Sequence, residues 1–124
     1  MESPLKENSF SFAVRVVKLA KYLESEHKEF ILSRQVLRSG TAVGALVREA
    51  EFAQSKSDFV HKLSIALKEA NETDYWIELL YRTQMINDKM FESIEPEIKG
   101  LIKLLVRSIK TAKQSLNGSG EAAS

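Results

Sequence analysis

Apolar residues in this chain return every third or fourth position almost from end to end, and no stretch alternates as a strand would. That period puts successive side chains on one face of a helix. Only five glycines and two prolines occur, and three of these seven (Pro4, Gly118 and Gly120) sit near the ends. The chain is therefore expected to fold as long helices joined by short links.

Four helices are predicted. The first runs from about Ser9 to His27, capped by Asn8 or Ser9, with Phe12, Val16, Leu19 and Leu23 on one face. The second runs from about Arg34 to Gln54 behind a Ser33 cap, and its face is Val36, Gly40, Val43, Val47 and Ala50. The third runs from about Lys56 to Ile86, opened by the S-x-x-D signal of Ser55 and Asp58. Its inner face is Phe59, Leu63, Ala66, Leu67, Ala70, Ile77 and Tyr81. The fourth runs from about Asp88 to Leu116, with Ile98, Ile102, Leu105, Ile109, Ala112 and Leu116 inward. Pro96 removes one backbone donor, so this helix either kinks there or restarts after a Ser93 cap. The expected fold is all-α, an antiparallel up-down-up-down four-helix bundle over residues 1–117. The polar tail 118–124, GSGEAAS, is expected to be disordered.

Gly40 and Gly44 stand one turn apart inside the second helix, where each costs about 1 kcal/mol against alanine. Both fall on the inward face beside Val36, Val43 and Val47, so another helix of the bundle is expected to come close there, with Phe12 or Phe59 fitting across the gap.

Composition narrows the function classes. The net charge is +1, with 44% hydrophobic and 28% charged residues, so no bulk field marks a nucleic-acid or membrane partner. There is no cysteine, which removes disulfides, thiolate metal sites and thiol catalysis. No apolar run approaches the roughly 18 residues of a membrane span, and the start lacks a signal-peptide pattern. A cytoplasmic setting is expected.

Two carboxylate-x-x-His pairs, Glu24 with His27 and Asp58 with His61, have the spacing that di-iron bundles use. One ends the first helix and the other begins the third. The second helix holds them about 30 Å apart, so no metal is expected to join them. No cofactor, small-molecule substrate or catalytic constellation is expected either. Glu49, Glu69 and Glu72 are the carboxylates worth checking for a perturbed titration.

Two surfaces remain. Lys99, Lys103, Arg107, Lys110 and Lys113 form a basic stripe on the fourth helix, and no acid interrupts residues 98–116. It is either a solvated face or a phosphate-binding stripe for RNA. On the third helix Ile65, Trp76 and Leu79 point away from the core, with Glu72 among them. A helix apolar on two sides is buried on two sides, which predicts an oligomer interface anchored by Trp76. Glu49 and Glu72 are expected to pair with Arg48 or Lys68 at that contact.

The stretches GTAVGALVREAE and SKSDFVHKLSIALKEANETDYW, with SFAVRVVKLAKYL in the first helix, resemble the bacterial four-helix-bundle family encoded in intervening sequences of 23S ribosomal RNA genes. The matching positions include Gly40, Gly44, Glu49, Phe59, Lys62, Glu69, Glu72, Tyr75 and Trp76. The resemblance implies a ring-like homopentamer. It also implies kinship with the basic accessory proteins of diversity-generating retroelements, which bind a reverse transcriptase and nucleic acid. A net charge of +1 departs from that basic type. The expected function is a non-enzymatic oligomeric scaffold that binds RNA or a nucleoprotein partner. The alternative is a protein-interaction module with no nucleic-acid binding.

Overall fold

The computed structural model describes the backbone of residues 3–123 and side chains as far as Asn117. Four helices follow in order: α1 (Pro4–His27), α2 (Leu32–Glu51), α3 (Lys56–Arg82) and α4 (Asp88–Ala123). Each packs on the next, and α1 and α4 meet least closely. The expected antiparallel four-helix bundle is what forms. The tail 118–124, expected to be disordered, falls outside the fully described residues.

The helix starts differ from expectation in two places. The first helix opens at Pro4, not near Ser9, because Ser3 caps it: its hydroxyl accepts from the Lys6 amide at 3.1 Å. Proline at the first helical position gives up only an amide that has no helical partner. Ser9 instead lies buried against α2. In α2 the Glu29 carboxylate accepts from the Leu32 amide, so Ser33 is not a cap. Ser33 sits fully buried, its hydroxyl 3.3 Å from Glu24. The third helix ends at Arg82, four residues short of the expected Ile86, where Thr83 and Gln84 turn the chain. Its predicted Ser55 cap forms, accepting from the Asp58 amide at 3.0 Å.

The core contains the predicted faces of α1 and α2 in full, and Leu63, Ala66, Ala70 and Ile77 of α3. Phe59, Leu67 and Tyr81 are only half-buried. On α4 the core ends at Ile109; Ile102 and Ala112 are half-buried and Leu116 is exposed. The core also holds a polar pair, the hydroxyls of Ser39 and Thr73, 2.8 Å apart between α2 and α3.

Gly40 and Gly44 meet α1. A Cβ on Gly40 would lie 2.8 Å from both Val16 methyls, and one on Gly44 would lie 3.2 Å from the Ser9 carbonyl oxygen. The close partner is therefore a helix of the same bundle, as expected. The groups involved are Val16 and the Ser9 backbone, not Phe12 or Phe59. α4 runs continuously through Pro96 with no restart. Ser93 does not cap; its carbonyl and hydroxyl accept from the Arg15 guanidinium at 3.1 and 2.9 Å.

Candidate functional site

The basic stripe is divided by the fold. Lys99 donates to Asp74 at 2.7 Å and lies 3.7 Å from Glu95, so its charge is spent on the α3–α4 seam. Proximity to these two acids raises its pKa, with the Asp74 hydrogen bond the largest cause. Lys103, Arg107, Lys110 and Lys113 are exposed and have no charged or hydrogen-bonding partner among the described residues. The stripe available to a ligand therefore begins at Lys103.

Glu95, which faces Asp74 across the same seam, carries the strongest electrostatic perturbation. Burial and the neighbouring Asp74 carboxyl push the Glu95 pKa up to about 7. One oxygen of each, Asp74 Oδ1 and Glu95 Oε2, is buried with no hydrogen-bond partner. Neither residue stood out in the sequence, because the last eight residues of α3, the turn and the start of α4 separate Asp74 from Glu95, and the pair forms only when α4 folds back. Glu72, one of the carboxylates singled out beforehand, shows a downward pKa shift. Its largest cause is the Trp76 indole N–H, which donates to it at 3.0 Å, with Arg38 adding to it.

The outer face of α3 is tied to its own chain. Ile65, Glu72, Trp76 and Leu79 are all half-buried, and Trp76 packs against the core. Arg38 of α2 pairs with Glu69 at 3.1 Å and with Glu72. Glu49 pairs with Lys62 at 3.3 Å. Within the chain these acids link α2 to α3, and the Lys68 charge also helps to hold the Glu72 pKa down. Arg48 instead lies over the Phe10 ring, 5.6 Å from its centroid.

One exposed apolar surface was not anticipated. It follows α1 and α2, where Phe10, Val14 and Val17 stand out and Phe52 is 78% exposed. Between the two helices runs a groove of about 810 Å³ floored by Ala13, Gly44 and Ala45. The spacing of Phe10, Val14 and Val17, four and three residues apart, was a readable signal for a second face on α1.

The helical metal-type pairs stay apart in role. His27 sits edge-on to Tyr22 at 5.6 Å, and Asp58 accepts from the Gln54 amide at 3.2 Å. No group of three or more metal-ligating side chains forms among the described residues, and none of their helices is long and apolar enough to cross a membrane.

These features define a small antiparallel four-helix-bundle protein whose α2–α3 and α3–α4 seams are bridged by ion pairs. The chain belongs to the 23S rRNA-intervening sequence protein family, whose sequence profile matches residues 2–107. A solved structure from Bacteroides thetaiotaomicron VPI-5482, described as a protein with unknown function from the S23 ribosomal protein family, is 56% identical. It superposes with a TM-score of 0.84, over 86% of this chain and 98% of that one. A comparison with curated proteins found no match.

Proposed function

We propose that this chain is a non-enzymatic scaffold that assembles into a closed ring of identical subunits, pentameric as the resemblance implies, and offers the basic side of α4 to cytoplasmic RNA or a nucleoprotein. The observation that carries the assembly is the α1–α2 groove. Phe10 and Phe52 are left open to water on a surface unlike the outer face of α3. Exposed aromatic rings in a groove rimmed by charged side chains such as Lys6, Glu49 and Lys62 favour a protein contact. Two unlike apolar surfaces on one subunit favour a head-to-tail contact, and such contacts close into rings when the rotation allows. RNA binding draws support from the four unpartnered cations of α4.

Light scattering tests the assembly. Wild type is expected at several times the 14.0 kDa subunit mass. Phe52→Ser, at a position too exposed to matter for folding, is expected to dissociate it. A monomeric wild type ends the scaffold reading. A variant that assembles like wild type moves the contact away from the groove.

A further inference from the structure

We propose that a seam along α4, centred on Arg107, seats the sugar–phosphate backbone of single-stranded RNA. This rests on the RNA reading above and gives it a place.

Two clefts of about 450 Å³ each meet at Arg107. One runs between α1 and α4 past Ser11 and Lys103, and its floor is open at Gly100, where an added Cβ would touch nothing. The other runs between the start of α3 and the end of α4 past Ser108, Thr111 and Lys56, whose ammonium donates to the Ser115 hydroxyl of the same cleft at 2.6 Å. The second cleft has no carboxylate in its lining. The first has one, Glu97, which Arg15 already holds. The seam thus presents cations and hydroxyls with no free acid, and these are the side chains that contact phosphate and sugar.

The same geometry selects among ligands. A concave seam between two helices follows one strand, whereas a duplex needs a broader face. Hydroxyls beside a phosphate path can also engage a ribose 2′-OH, which DNA lacks. Phe59 lines the second cleft, so an aromatic ring that the stripe itself lacks is supplied by α3, where a base can pack. An acidic peptide would answer the charges but not the hydroxyls or the ring.

Fluorescence anisotropy with labelled 12-nucleotide oligo(U) and oligo(dT), titrated from low to moderate salt, tests the seam in the full chain. Wild type is expected to bind RNA more tightly than DNA. Arg107→Gln is expected to weaken RNA binding about tenfold and to reduce the salt slope by about 0.7. Ser108→Ala with Thr111→Ala removes no charge, and is expected to weaken RNA about threefold while leaving DNA unchanged. Lys113→Gln, outside the seam, is expected to cost no more than about twofold. Circular dichroism checks that each variant remains helical. If wild type binds RNA and the Arg107 and hydroxyl variants bind equally well, the seam is wrong and the RNA reading stands. If polyglutamate displaces RNA at equal charge concentration, the surface is a general anion face and the seam is again wrong. If wild type retains no RNA at low salt, both readings fall.

Discussion

The Glu95 carboxyl of α4 lies within hydrogen-bonding reach of the Asp74 carboxyl of α3, and each hides one oxygen that no other group satisfies. A proton held between those two oxygens would serve both. Lys99 lies beside them and offsets the remaining charge.

This pair gives stability a pH dependence of known sign. The Glu95 pKa is raised from 4.5 to about 7 by burial and by Asp74. Between those values the folded chain holds a proton that the unfolded chain has released. The pair's contribution is full below the lower value and fades as pH rises through the upper one. With a discount for partial exposure the loss is about 1 kcal/mol, or roughly 4 °C in Tm. Thermal melts from pH 5 to 8 should show wild type falling relative to Glu95→Gln. Parallel curves would mean that the two carboxyls do not share a proton.

The contact of α1 with α2 predicts a coupled pair of substitutions. Gly40→Ala places a methyl 2.8 Å from both Val16 methyls, in a core position with no room to yield. It should cost about 1 kcal/mol net, after the gain in helix propensity. Val16→Ala alone should cost about 2 kcal/mol through its cavity. The double variant should be more stable than the sum of the two predicts, by about 1 kcal/mol. Denaturant unfolding measures all three, and simple additivity would place the close contact elsewhere.

Trp76→Phe keeps most of the packing and removes the indole N–H. The Glu72 carboxyl should then titrate higher, since that hydrogen bond is the main cause of its lowered pKa. Carboxyl-detected NMR titration reads the change directly. No movement would reassign the shift to Arg38.

Arg15 joins the two least closely packed helices by reaching the Ser93 carbonyl and hydroxyl and the Glu97 carboxylate. Arg15→Met should retain the stem's packing and cost about 1 kcal/mol. Hydrogen exchange should quicken in the first turns of α4, ahead of Pro96, more than in α2 or α3. Uniform quickening would argue against a local tie.

The sequence carried the bundle because the inward residues of α1 and α2 repeat at a strict helical period, and their burial follows from that alone. It carried the role of Gly40 and Gly44 for the same reason. The misplaced start of α1 had a readable cause in Ser3 and Pro4, whose cap-and-proline pattern outweighs the polar run that follows. Ser33 misled because a serine before a periodic run looks like a cap, while Glu29, four residues earlier, takes that role across the turn. The fate of the charges was not legible. Lys99 belongs to a regular stripe by spacing, and only α3 folding against it reveals Asp74 as its partner. The exposed ridge of Phe10, Val14 and Val17 was present in the spacing but hidden by the stronger inner face of the same helix.

Val16 against Gly40 and the Ser9 carbonyl against Gly44 are two bearings between the same pair of helices. One such point would still let α1 pivot on α2; two remove the pivot and the slide together. The α1–α2 unit is therefore an alignment jig. The ridge carrying Phe10 and the surface carrying Phe52 keep a fixed offset, and in the assembly proposed above a second subunit would meet a preset spacing with no helix having to move.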